Sequence, residues 1–255
     1  MSAGKDVVCR MENFRVYYMT FDGPVKAVDG VSMEVYKEET VGLVGESGCG
    51  KTTVARLIVH LLEPTSGHIF MDGKDIFTLQ RRELAKKVQI IFQNPFASLN
   101  PKLSIGTIIG EAAGVRGVEN RAEEVRRILE LVGLRGNVMD NYPHQFSGGQ
   151  RQRIAIARAL AACPELIVAD EPVSSLDISI QAQILNLLME LRDKLALSYL
   201  FISHDLSVVR YISDRIAVMY QGRIVEEGKA EDIYSYPGHS YTRRLFDAVK
   251  SFQRD

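Results

Sequence analysis

Gly45-Glu-Ser-Gly-Cys-Gly-Lys-Thr52 decides the fold of this 255-residue chain. An apolar run, Thr40–Val44, leads into it, and a helical pattern leaves it at Lys51 and continues to about Leu62. The octapeptide fits GxxxxGK[ST], and strand before with helix after is the context that motif requires. Its glycines let consecutive backbone N–H groups turn inward around phosphate oxygens, and the helix N-terminus adds its positive dipole end. In this reading Lys51 reaches the β- and γ-phosphates of a nucleotide and the Thr52 hydroxyl ligates Mg²⁺. Gly45, Glu46, Ser47, Gly48, Cys49, Gly50 and Thr53 complete the binding set. The rival reading is a glycine-rich strand-to-helix turn with a lysine on its rim. Cys49 reads as a small filler whose thiol makes the site open to alkylation or oxidation.

A phosphate cradle alone hydrolyses nothing, so a metal ligand and a base are needed. Leu166–Ala169 is an apolar run that ends in Asp170-Glu171. A buried parallel strand delivers acids at its C-terminal edge, where α/β sheets bind ligands. Asp170 suits the Mg²⁺ sphere and Glu171 suits polarising the attacking water. The bland alternative is an acidic pair closing a strand before Pro172.

Further out, β-rich runs open the chain at Val7–Met11, Phe14–Tyr18 and Val31–Val35. Later strand candidates are Val88–Phe92, Leu166–Ala169, Leu200–Ser203 and Ile216–Tyr220. In Gln181–Leu195, residues Ile184, Leu187, Leu188, Leu191 and Leu195 share one helical face. Strands alternating with helices predict a mainly parallel sheet, with antiparallel hairpins at both ends of the chain. From about Asn94 to Asn141 there is no strand pattern, while Ala122, Val125, Ile128, Leu129 and Val132 make an amphipathic helix. Residues 94–158 are therefore expected as a helical subdomain inserted in an α/β core formed by 1–93 and 159–255.

Composition excludes several classes. Lys plus Arg number 31 and Asp plus Glu 32, a net charge of −1, which argues against a nucleic-acid binder relying on bulk positive charge. Three separated cysteines, Cys9, Cys49 and Cys163, form no disulfide framework or cysteine-rich metal site and suit a reducing compartment. Met1–Phe14 lacks the apolar run of a signal peptide, and no stretch approaches the ~18 apolar residues of a membrane span. A cytoplasmic protein that reaches a membrane only through a partner is expected.

Phe146-Ser-Gly-Gly-Gln150, upstream of Asp170-Glu171, resembles the signature motif of ABC-type ATPases. The family's other motifs occur in order. Gln93, after a strand, is similar to the Q-loop glutamine; Ser175-Leu-Asp177 resembles the D-loop; His204 resembles the switch histidine. The resemblance covers essentially the whole chain. It implies a RecA-like P-loop core with an antiparallel β-subdomain and an inserted helical subdomain, using ATP and Mg²⁺. It further implies that Gln93 touches the metal shell or the water, that His204 contacts the γ-phosphate, and that Asp177 lies at the nucleotide. Ser147, Gly148, Gly149 and Gln150 would meet the γ-phosphate held by a facing ATPase subunit, in a head-to-tail dimer. A helix N-cap with flexible glycines describes the same tetrapeptide but leaves Gln150 without a role. Tyr18 resembles the aromatic residue that stacks on adenine, with Tyr17 as its rival.

Finer resemblance is to the ATPases of oligopeptide, dipeptide and nickel importers. It rests on Asn94-Pro-Phe-Ala-Ser-Leu-Asn-Pro101, on Asp177-Ile-Ser-Ile-Gln-Ala-Gln-Ile-Leu-Asn186, on His204-Asp-Leu-Ser-Val-Val209 and on Pro237-Gly-His-Ser-Tyr-Thr242. Ser240 stands where that group usually has proline. The resemblance implies a subunit at the cytoplasmic face of the membrane, working with two permeases and a second, non-identical ATPase, with a homodimer as the alternative. An extracytoplasmic solute-binding protein would be an indirect partner. No cysteine follows Cys163, so the iron–sulfur centre carried by some members is not expected. Peptides are the expected solute, with nickel and oligosaccharides as alternatives. A DNA-repair or translation ATPase is disfavoured by the short stretch between Gln93 and Ser147 and the single cassette, and an export ATPase by the absence of fused membrane helices. The two prolines of Asn94–Pro101 predict a shaped, non-helical surface that receives a permease helix, with Phe96 in it.

Overall fold

The computed structural model describes residues 6–21 and 23–252, the side chains of 96, 97 and 248–252 excepted. Strand β1 (Val7–Thr20) turns into β2 (Gly23–Tyr36), β3 (Thr40–Val44) enters the glycine loop, and α1 (Lys51–Ile58) leaves it. There follow β4 (Ser66–Met71), β5 (Lys74–Asp75), α2 (Arg81–Ala85), β6 (Val88–Ile91), α3 (Pro95–Ser98), α4 (Ile105–Gly114), α5 (Arg121–Leu131) and α6 (Gly148–Ala161). The chain ends with β7 (Leu166–Asp170), α7 (Ile178–Leu195), β8 (Ser198–Ile202), α8 (Leu206–Ile212), β9 (Arg215–Tyr220), β10 (Arg223–Lys229), α9 (Ala230–Ser235) and α10 (Ser240–Phe252). Two compact units result: Met1–Leu79 with Ser198–Asp255, and Gln80–Leu197.

In the first unit, β2-β1-β4-β5 form an antiparallel sheet. A second sheet runs β10-β9-β3-β8, with β3 parallel to both neighbours and β10 antiparallel to β9. Every residue of β3 and β8 is buried, as a parallel strand covered on both faces requires. Their apolar runs therefore show no alternation. The two opening β-runs are one strand: β1 passes through a bulge at Asn13, φ 45°, and its register with β2 shifts between Met11 and Phe14. Asparagine tolerates that left-handed conformation, which is why a break in the apolar pattern is not a break in the strand. Helix α1 stops at Ile58 rather than near Leu62, because the chain turns through His60 at φ 53°.

In the second unit, β6 and β7 pair in parallel. Helices α4, α5 and α6 pack together, burying Ile105, Ile109, Val125, Ile128, Leu129 and Ile154. Ser104 and Asn120 cap α4 and α5, accepting the N–H groups of Thr107 and Glu123. No strand falls between residues 94 and 141 among those described. Asn94–Pro101 is not wholly non-helical: Pro95 opens the single turn α3, where its missing N–H is no loss. The Phe96 side chain lies outside the described residues. Among the described residues no helix is long and apolar enough to cross a membrane.

Candidate nucleotide-binding and hydrolytic site

In the first unit the glycine loop lies hard against both sheets, at β9 and at β2. A Cβ on Gly45 would stand 2.2 Å from the Met219 carbonyl oxygen, and one on Gly50 2.2 Å from that of Ala27. Both take positive φ, 156° and 113°, so two separate constraints demand glycine. Lys51 is buried, and its Nζ donates to the carbonyl oxygens of Gly45 at 2.7 Å and Glu46 at 2.9 Å. No carboxylate pairs with this ammonium among the described residues. A buried cation held by two carbonyls and the Cys49 sulfur at 3.8 Å, with no carboxylate, fits an anionic partner such as a phosphate. Glu46, Ser47, Gly48, Thr52 and Thr53 follow the same turn, with Thr52 exposed on the first turn of α1.

Cys49 is not the open thiol the sequence suggests. It is buried, and burial raises its pKa, with nearby Lys51 pulling the other way. The exposed cysteine is Cys163.

Tyr18 is 42% exposed on β1, opposite Val25. Tyr17 is occupied instead: its hydroxyl donates to Asp29, and Lys26 lies over its ring at 5.4 Å. Asp29 also accepts from Arg223, at 2.6 Å, and its carboxyl is lowered to about 2, first by the Tyr17 hydrogen bond and then by Arg223. Its backbone N–H donates to the Gly222 carbonyl at 2.8 Å, and the Gly222 N–H to the Cys49 carbonyl at 3.0 Å. The strand carrying both tyrosines is thereby tied to the phosphate loop. His204 is exposed between β8 and α8, where Asp205 caps the helix by accepting from Ser207 N at 2.8 Å.

In the second unit, Asp170 is buried at the C-terminal end of β7. Glu171, half-buried, follows at φ 49°, an uncommon conformation for a glutamate and one that clusters at functional sites. Gln93 Nε2 donates to Glu171 Oε2 at 3.1 Å and to Ser174 Oγ at 3.3 Å. The base candidate and the glutamine after β6 are thus in direct contact. Asp177 occupies the N-cap position of α7, exposed, with no capping bond from its side chain.

Ser147 caps α6, and here the sequence reading needs correcting. The Gln150 N–H donates to Ser147 Oγ at 3.4 Å while Gln150 Oε1 accepts the Ser147 N–H at 3.0 Å, a reciprocal capping box. Gln150 therefore has a local role, and Ser-x-x-Gln spacing was the signal for it. A Cβ on Gly149 would meet Ile180 Cγ2 at 2.6 Å, so the second glycine allows α6 and α7 to approach. Ser147, Gly148 and Gln150 remain exposed. Among the described residues no cluster of three or more His, Cys, Asp or Glu is placed to hold a metal, so any ion there would share its shell with phosphate, hydroxyl and water oxygens.

Glycine loop, buried lysine and a strand-end Asp-Glu define a P-loop ATPase. The chain belongs to the ABC transporter family, whose match spans residues 28–174. It is 49% identical over 247 residues to the oligopeptide transport ATP-binding protein OppF of Bacillus subtilis, across 94% of this chain and 81% of that one. It is 51% identical over 231 residues to the dipeptide transport ATP-binding protein DppF of Haemophilus influenzae, across 88% of this chain and 71% of that one. Among solved structures it resembles a dimeric ATP-binding cassette, MJ0796, in a post-hydrolysis state bound to ADP and Pi, with TM-score 0.78 and 30% identity over 87% of this chain and 98% of that one. It also resembles cbiO1 of Clostridium perfringens, part of the ABC transporter complex cbiONQ, with TM-score 0.81 and 25% identity over 98% of this chain and all of that one (100%). The chain is an ABC-type ATPase.

Proposed function

We propose that this chain is an ATPase subunit of a peptide importer, hydrolysing ATP to drive uptake through separate membrane permeases. The observation that carries the hydrolytic reading is the Gln93–Glu171 contact beside buried Asp170. The peptide class rests on the likeness to oligopeptide and dipeptide transport ATP-binding proteins, at about half identity over most of the chain.

The loop from Gly45 to Thr53 binds the phosphates, Lys51 exchanging its carbonyl partners for phosphate oxygens. Thr52, Asp170 and Gln93 are the residues that would hold a Mg²⁺, which would supply charge neutralisation to the phosphates. Glu171 orients and polarises the water, and His204 steadies the γ-phosphate. Tyr18 supports the base, a role favoured by its exposed face and by the engagement of Tyr17 with Asp29. Ser147, Gly148, Gly149 and Gln150, together with Asp177, complete the site of a facing ATPase, at the N-terminus of α6. The facing subunit is a second, non-identical ATPase. Residues 94–158 act as the helical subdomain that passes the nucleotide state to the permeases, with Asn94–Pro101 in contact with one of them, so the subunit sits at the cytoplasmic face of the membrane.

Purification of the intact transporter tests this reading. Two permeases, this chain and one different ATPase, with ATP-dependent uptake of a labelled peptide, are expected. Two copies of this chain with no other ATPase would refute the heterodimer. Uptake of nickel or an oligosaccharide in place of peptide would refute the solute class.

A further inference from the structure

Pro237-Gly-His-Ser-Tyr-Thr242 has no part in the chemistry above, yet its placement touches the phosphate loop. Tyr241 is the second residue of α10 and is almost completely buried. Its ring packs on Tyr220 at the end of β9, centroids 4.2 Å apart. Its hydroxyl accepts the backbone N–H of Glu46 at 3.1 Å, a partner 195 positions away in sequence. Glu46 also accepts, through its carbonyl, from Lys51 Nζ at 2.9 Å. The phenol thus holds the Gly45–Glu46 peptide at its N–H, while the ammonium holds that peptide at its carbonyl and the next one too.

The start of α10 is itself pinned. Glu226 of β10 accepts the backbone N–H groups of Gly238 at 2.6 Å and His239 at 3.0 Å. Burial of Glu226 works against its charge, but hydrogen bonding, including that from these two N–H groups, outweighs it and lowers its pKa. Arg243 closes the turn by donating to the Gly238 carbonyl at 2.7 Å. The phenol is therefore delivered from a fixed frame.

We infer that Tyr241 is a positioning residue for nucleotide binding: its hydroxyl holds the Gly45–Glu46 peptide in the orientation from which the loop receives phosphate. This rests on the nucleotide-site reading above. Glycines flank most of the loop, so its peptides rotate easily, and each peptide that must be ordered on binding subtracts from affinity. A tether made before the ligand arrives removes that cost. Ring packing alone would ask only for phenylalanine; the Glu46 N–H asks for the hydroxyl. Through Tyr241 the helix α10, outside every nucleotide motif, sets how well the loop binds.

The test uses the full chain with MgADP as probe. Tyr241→Phe keeps the ring on Tyr220 and deletes one neutral hydrogen bond, so the Kd for MgADP is expected to rise about fivefold. The Glu46 amide should exchange its hydrogen faster in the absence of nucleotide. In the assembled transporter the KM for ATP should rise with kcat nearly unchanged, because the hydroxyl touches no reacting atom. Glu226→Gln, which loosens the helix start and leaves the ring intact, should weaken MgADP binding in the same direction, and decides the matter if Tyr241→Phe folds poorly. Unchanged Kd and unchanged Glu46 protection in both variants, with Lys51→Ala binding weakly, would overturn the role of Tyr241 and leave the phosphate site standing. Undiminished binding in Lys51→Ala would overturn the phosphate site itself.

Discussion

Gln93 and Glu171 meet at 3.1 Å, the amide of one donating to the carboxylate of the other. They come from the ends of neighbouring parallel strands, β6 and β7, so the residue proposed to polarise water is in contact with the residue that leads into the helical segment. A glutamine proposed to follow the nucleotide state thus stands two residues before the start of α3.

Glu171→Gln keeps the shape and an oxygen able to accept from Gln93 but removes the charge. Nucleotide binding should persist while turnover falls by at least about 100-fold, the usual contribution of a general base. Calorimetric binding of ATP and phosphate release from the assembled transporter check this together. Turnover within about threefold of the wild type would remove Glu171 from the mechanism.

Ser147→Ala and Gln150→Ala each break one half of the capping box, and each should destabilise α6 by about 1 kcal/mol. Denaturant unfolding reads that loss. Ser147→Ala should in addition slow ATP hydrolysis in the assembled transporter, where the serine is proposed to face the partner's nucleotide. If Gln150→Ala unfolds at the same denaturant concentration as the wild type, the capping role is wrong.

Asp29 titrates at about 2 rather than the ordinary 3.8, because the Tyr17 hydroxyl and Arg223 favour its charged form. A depressed carboxylate stabilises the folded state above its unfolded pKa and loses that contribution as pH falls through its folded one. The stability gap between wild type and Asp29→Asn should therefore be full above about pH 5 and close as the pH approaches 2. Urea unfolding across that window measures it, and a gap independent of pH would exclude the ion pair as its source.

Thiol labelling should follow exposure. At about pH 8, iodoacetamide should modify Cys163 first and Cys49 slowly, since burial raises the Cys49 pKa. Cys9, fully buried with its pKa raised to about 12, should stay unlabelled until the protein unfolds. Mass spectrometry of digests taken over time distinguishes the three. Rapid loss of nucleotide binding in step with Cys49 labelling would show that the loop opens far more than this packing allows.

Much of the site was readable along the chain because its logic is local. The glycine loop, the strand before it and the helix after it are neighbours in sequence, and the apolar run ending at Asp170-Glu171 marks a buried strand edge by its composition alone. Even Gln150 was within reach, since a capping box spans only four residues. The bulge at Asn13 was not, because a left-handed residue interrupts the apolar alternation while the β1 ladder to β2 continues past it. Nor could motif spacing say that Cys49 is shielded and Cys163 open, or that Tyr17 is engaged by Asp29 while Tyr18 is exposed. Tyr241 and Glu46 lie 195 positions apart and no periodicity links them. Propensity, periodicity and motif spacing act over a few residues, whereas a buried hydroxyl finds whichever N–H the packing of distant strands and helices leaves within its reach.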